Sequence, residues 1–139
     1  KENLVLKGAY IIKDQSSNVD KNAEQTINSF HNIKNSALNM KEALLKGNFE
    51  VFASELKSSW EEKVKTAKSV SNEKIDNIYE NAINAGALAG KLSGAGGGGF
   101  MMLYVPTTNR MSVIRALSKF DGSISSCQFS DIGVQSWTL

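Results

Sequence analysis

Five glycines fall between Gly94 and Gly99, inside the stretch "AGKLSGAGGGGFMMLYV" that runs from Ala89 to Val105. Glycine reaches backbone dihedrals closed to other residues. The apolar run "FMMLYV" that follows is strand-sized, rich in β-formers and ended by Pro106, as suits a buried strand. A helical pattern therefore has to give way to a buried strand across a few residues without side chains. Gly94, Gly96 and Gly99 have the GxGxxG spacing of a dinucleotide-binding turn. That turn follows a strand and opens a helix, whereas here the glycines follow a helical segment and open a strand. A Walker A loop is excluded as well, because no Lys-Ser or Lys-Thr pair comes after the glycines. A flexible linker is the bland alternative, and it would leave the following strand poorly anchored. The favoured reading is a structured loop. Its N–H groups can converge on an anion, and its bare backbone lets another chain or a phosphoryl group come close. The residues alone do not name that ligand.

The rest of the pattern places this loop in a fold. "NLVL", Asn3 to Leu6, reads as a short strand ended by Gly8. From about Asn22 the spacing is helical, with Ile27, Phe30, Ile33, Ala37, Met40 and Leu44 on one stripe and Gly47–Asn48 as the stop. Asn22 and Gln25 have the spacing of a capping box. A second helix carries Phe49, Phe52, Leu56, Trp60 and Val64. A third starts at Ser71 as N-cap and carries Ile75, Ile78, Tyr79, Ala82 and Ala85, fraying at Gly86. After the glycines come the strand, a helix from Thr108 to Phe120, a turn at Asp121–Gly122, and final strands in "SISSCQFS" and "IGVQSWTL". Strand, three helices, strand, helix and strand is the order of an α+β domain, with helices packed on one face of a mostly antiparallel sheet.

Bulk properties narrow the function classes. A chain of 139 residues can bury a core without metals or disulfides. Sixteen basic against 14 acidic residues leave a net charge of +2, so an electrostatic nucleic-acid footprint is not expected. One cysteine and one histidine make neither an internal disulfide nor a zinc site. No run approaches the roughly 18 apolar residues of a membrane span, and no leader pattern opens the chain. A cytoplasmic protein is expected. The chain begins at Lys1, which suggests a piece of something longer.

"GKLSGAGGGGFMMLYV" resembles the third, C-terminal motif of the GHMP kinases, the family of galactokinase, homoserine kinase, mevalonate kinase and phosphomevalonate kinase. Lys91, Leu92, Ser93, Gly94, Ala95, Gly96, Gly97, Gly98 and Gly99 match the family's core throughout. Phe100, where many members carry Cys, together with "SNEKIDNIYENAINAGALAGKL" and "NMKEALLKGNFEVFASELKSSWEEK", looks like the bacterial branch acting on D-glycero-D-manno-heptose 7-phosphate. The similarity extends from about Ile27 to Thr138. It implies a ferredoxin-like C-terminal domain filling residues 1–139, one lobe of a two-lobed sugar kinase that uses ATP and Mg²⁺. The reaction implied is phosphorylation at C1 of the heptose phosphate, feeding surface polysaccharide synthesis. The family's nucleotide-binding loop, catalytic group and metal ligand are absent here, so the isolated lobe is expected to be inactive, without catalytic or metal-ligating residues of its own. Its partners would be the N-terminal lobe and a sugar phosphate, with no nucleic acid and no membrane. The segment Lys7 to Asn18 departs from the family pattern. A free-standing binding module, or a GHMP kinase for another sugar or a mevalonate-type substrate, are the alternatives.

The resemblance sets Ser93, Gly94, Ala95, Gly96, Gly97, Gly98 and Gly99 across the cleft from the missing nucleotide loop, where their amides line the path of the phosphoryl group. Ser93 either offers its hydroxyl to substrate or fixes the turn. Lys91 either reaches a phosphate or is a solvent-facing charge at a helix end. His31 has a structural or surface role, Trp60 belongs to the core, Cys127 reads as a buried thiol, and Trp137 packs on the sheet edge.

Overall fold

The computed structural model describes residues 4–21, 23–128 and 130–137. Helices α1 (Leu4–Lys21), α2 (Ala23–Leu45), α3 (Phe49–Thr66) and α4 (Glu73–Asn84) precede strands β1 (Ala89–Leu92) and β2 (Met101–Tyr104), and α5 (Arg110–Leu117) follows. Short 3₁₀ turns at Lys68–Val70 and Thr107–Asn109 lead into α4 and α5.

Local chemistry sets the helix ends. After α2 the chain closes by bonds from the Gly47 N–H to the Leu44 carbonyl and from the Asn48 N–H to the Ala43 carbonyl, the paired pattern of a helix stop with glycine in the left-handed region. Asn48 then caps α3 by accepting from the Val51 N–H at 3.1 Å. The same stop ends α4, where Gly86 donates to Ile83 and Ala87 to Ala82. The N-cap of α4 is Asn72, whose Oδ1 accepts from the Ile75 N–H at 3.1 Å, one residue beyond the Ser71 expected from sequence. Ser71 instead donates its hydroxyl to Asp76 at 2.5 Å. Asn72→Ala should therefore cost about 1 kcal/mol, read as a lowered urea midpoint; an unchanged midpoint would remove the cap from the fold's accounting.

The strands form an antiparallel hairpin in the register Ala89↔Tyr104, Gly90↔Leu103, Lys91↔Met102 and Leu92↔Met101. Alternation along β1 separates its neighbours. Ala89 and its partner Tyr104 meet Ala53, Leu56, Phe52 and Met40, so this side of the hairpin lies against α3. Leu92 and Met101 join Trp60, Ala67, Val70, Ile75 and Ile11 in the main core. Leu103 packs with Ala82 of α4 and with Val113 and Leu117 of α5.

Four sequence expectations are corrected. Leu4–Leu6 lie in α1, not in a strand, while Asn3 falls outside the described residues, as does Asn22 of the expected capping box. Helical spacing wins in α1 because Ile11, Asp14, Gln15 and Asn18 share one face. Ile11 is buried in the core, Asp14 accepts from Ser69, Gln15 donates to the Thr66 hydroxyl, and Asn18 donates to the Thr66 carbonyl. Second, the glycines follow a strand, not a helix, because β1 occupies Ala89–Leu92. The dinucleotide reading still fails, since a strand also comes after them. Third, no strand forms after Gly122 among the described residues. Serines and Gly133 dilute the apolar positions there, leaving too little burial to offset backbone ordering. Fourth, Cys127 is accordingly exposed and Trp137 is 78% exposed, so neither the buried thiol nor the packed tryptophan holds.

Candidate functional site

The glycine-rich stretch is the loop of the β1–β2 hairpin. It is closed at its root by the Ser93 N–H donating to the Phe100 carbonyl at 2.8 Å. Gly94, Gly96, Gly97, Gly98 and Gly99 all have positive φ, which explains the composition directly. Gly96 shows the second requirement, close approach: a Cβ there would lie 2.7 Å from the Val70 carbonyl oxygen and 2.9 Å from the Val70 Cα. Next to it, the Gly97 N–H donates to that same carbonyl at 2.9 Å. The loop is thus seated on the turn between α3 and α4. A floppy tether would have no such contact. The amides of Gly94, Ala95, Gly96, Gly98 and Gly99 have no backbone acceptor among the described residues.

Two lysines flank the root of the loop. Lys63, near the end of α3, donates to the Leu92 carbonyl at 3.3 Å and also to the Gly94 carbonyl. Lys91 lies in β1 and donates to the buried Ser59 hydroxyl at 2.7 Å. It is half-buried against α3, which corrects the solvent-facing helix-end reading. Burial pushes both ammonium groups below the usual lysine range, and for Lys63 the neighbouring charge of Lys91 adds to the effect. Neither lysine pairs with a carboxylate among the described residues.

A groove of about 460 Å³ opens beside the loop, lined by Tyr10, Ile11, Ser69, Ser71, Asn72 and Gly97, with Lys7 at its edge. The segment that the sequence left without a role, Lys7 to Asn18, thus supplies one wall. Ser93 is exposed at the start of the loop, and His31 is exposed on α2. Trp60 is buried at the centre of the core. Among the described residues no three His, Cys, Asp or Glu side chains gather to hold a metal ion. No helix there is long and apolar enough to cross a membrane.

Sequence reasoning missed Lys63, Ser59 and the Val70 carbonyl as supports of the loop. Ser59 and Lys63 are one helical turn apart, which puts them on one face, but nothing local says that β1 and the loop will lie along that face.

The α+β fold thus sets a glycine hairpin, five of whose amides lack a backbone acceptor among the described residues, beside a groove. Comparison with known proteins places the fold in a family. Residues 40–122 match the family described as GHMP kinases C terminal, and the chain belongs to the GHMP kinase family as its C-terminal domain. It is 40% identical over 116 residues to D-glycero-alpha-D-manno-heptose 7-phosphate kinase of Campylobacter jejuni, covering 84% of this chain and 34% of that protein. Among solved structures it is similar to mevalonate kinase of L. major in complex with R-mevalonate. That likeness has a TM-score of 0.72 at 22% identity, over 81% of this chain and 34% of the other. The fold is therefore the α+β fold of the GHMP C-terminal domain. The chain spans about a third of the length of these relatives.

Proposed function

We propose that this chain is the C-terminal lobe of an ATP-dependent kinase whose acceptor is D-glycero-D-manno-heptose 7-phosphate, phosphorylated at C1 on the way to activated heptose for surface polysaccharide. One observation carries the reading: a hairpin loop pinned at Gly97 and at its root, yet with five amides left without a backbone acceptor among the described residues. Phosphoryl transfer asks mainly for positioning and charge stabilisation. Amides fixed before the reaction supply both without reorganisation. In this reading Ser93 to Gly99 line the path of the transferred group, and Lys91 adds positive charge on the α3 side. ATP and Mg²⁺ enter with an N-terminal lobe, which completes the cleft. A cytoplasmic site follows from the need for ATP. The 40% identity to the Campylobacter enzyme supports the choice of sugar.

The test uses the whole protein that contains this lobe, assayed for ATP turnover with heptose 7-phosphate, galactose and mevalonate in parallel. Heptose 7-phosphate should be preferred by about 10⁴-fold in kcat/KM, the scale of discrimination by a site built to hydrogen-bond its substrate. The isolated lobe should show no turnover above background. Preference for galactose or mevalonate would replace the substrate, and no transfer to any of the three would sink the kinase reading.

A further inference from the structure

The glycine loop has a weak point at its start. A Cβ on Gly94 would meet nothing within 4 Å, so no packing holds the Gly94 end of the Gly94–Ala95 peptide, whereas Ala95 packs against the main core. At the Gly94 end the hold is the Lys63 ammonium, which bridges the carbonyls of Leu92 and Gly94 on either side of Ser93. In a trans peptide the C=O and N–H point in opposite directions. Turning the Leu92 carbonyl to Lys63 therefore sends the Ser93 N–H the other way, where it meets the Phe100 carbonyl. By the same geometry, the Gly94 carbonyl on Lys63 sends the Ala95 N–H away from α3. Charged donors make the stronger hydrogen bonds. Lys63 is also free for the task, because no carboxylate competes for it among the described residues.

We propose that Lys63 is the positioning residue of the glycine-rich loop: by bridging the Leu92 and Gly94 carbonyls it fixes which way the Ala95 amide points. Its effect on catalysis rests on the kinase reading above, whereas its effect on loop order does not. Lys91 cannot take over, since its ammonium is engaged with Ser59 on α3. Arginine can, because its fork of donors is able to span two carbonyls.

The experiment compares the unaltered chain with Lys63→Met, Lys63→Gln and Lys63→Arg, and repeats the set in the whole protein. In the chain, NMR order parameters for the Ala95 and Gly96 N–H vectors should fall from about 0.85 to below about 0.6 in the Met and Gln variants, and recover with Arg. The urea midpoint should stay nearly constant, which separates positioning from a general loss of fold. In the whole protein kcat should drop by about 10- to 100-fold with KM for the sugar changed less than about threefold, again rescued by Arg. Unchanged order parameters in both neutral variants would overturn the proposal, as would normal kcat in an active enzyme. If the loop loosens as expected while the unaltered whole protein transfers no phosphate, the kinase reading fails and the positioning role stands. The neutral Gln variant, as long as Met but polar, keeps the test decisive if the Met variant does not fold.

Discussion

Gly96→Val should lower the turnover of the whole enzyme by at least about 100-fold, since displacements near 1 Å at a reacting centre already cost that much. The helices should remain. The first valine carbon would sit 2.7 Å from the Val70 carbonyl oxygen and 2.9 Å from the Val70 Cα, and those are backbone atoms with no rotamer to yield. Positive φ at this position adds strain, so overpacking and strain together cost about 2–6 kcal/mol locally. Lifting the loop off Val70 is the cheaper escape, and it also breaks the bond from the Gly97 N–H to the Val70 carbonyl. Gly99→Ala is the control. It too has positive φ, yet its Cβ would meet nothing within 4 Å, so it bears the strain of about 1–3 kcal/mol alone. Far-ultraviolet circular dichroism should show both variants helical. A Gly96→Val enzyme with near-normal rate would take the loop out of the mechanism.

Trp60→Ala should destabilise the lobe by about 3–5 kcal/mol, the usual range for deleting a buried aromatic. Trp60 is 4% exposed and belongs to the cluster of Ile11, Ala67, Val70, Ile75 and Leu92. Its ring lies 6.3 Å from that of Tyr79. The cluster joins α1, α3, the turn before α4 and the end of β1, so the cavity would open beneath the seat of the glycine loop. At about 3–5 °C per kcal/mol for a chain of this size, the thermal midpoint should fall by about 10–20 °C. A shift under about 3 °C would mean that the core is centred elsewhere.

The parts of this lobe that were legible in sequence share a local cause. The helices α2, α3 and α4 follow from helical spacing, and the stops at Gly47 and Gly86 follow from the dihedrals that only glycine takes easily. Trp60 fell on the stripe of α3, and its burial followed. The buried face of α2 was not legible: Ile27, Phe30, Ala37 and Leu44 of its apolar stripe are exposed, while Thr26, Ser29, Ser36 and Ala43 are buried. The glycine loop was legible as a structured turn because a pattern of that length, set before an apolar strand, has few other uses. What was illegible depends on partners distant in sequence. "NLVL" satisfies strand propensity, yet Ile11, Asp14, Gln15 and Asn18 find their contacts on Thr66, Ser69 and the core only from a helix. β1 was hidden because "AGKL" carries no β-branched residue, and it became a strand by pairing with "MMLY". The tail after Gly122 shows the converse, an alternating pattern without a paired neighbour among the described residues. Lys63 carries no local signal of its role, which arises only because the hairpin lies beside α3.

The central claim is that the hairpin from Ser93 to Phe100 presents fixed backbone donors to an anion brought by another lobe. The most direct measurement follows the amide resonances of the whole protein as a non-hydrolysable ATP analogue and heptose 7-phosphate are added. Shifts concentrated at Gly94 to Gly99, weakened by Gly96→Val, are the predicted result. A protein that binds both ligands, and that phosphorylates heptose 7-phosphate when given ATP itself, while these amides stay unmoved would contradict it.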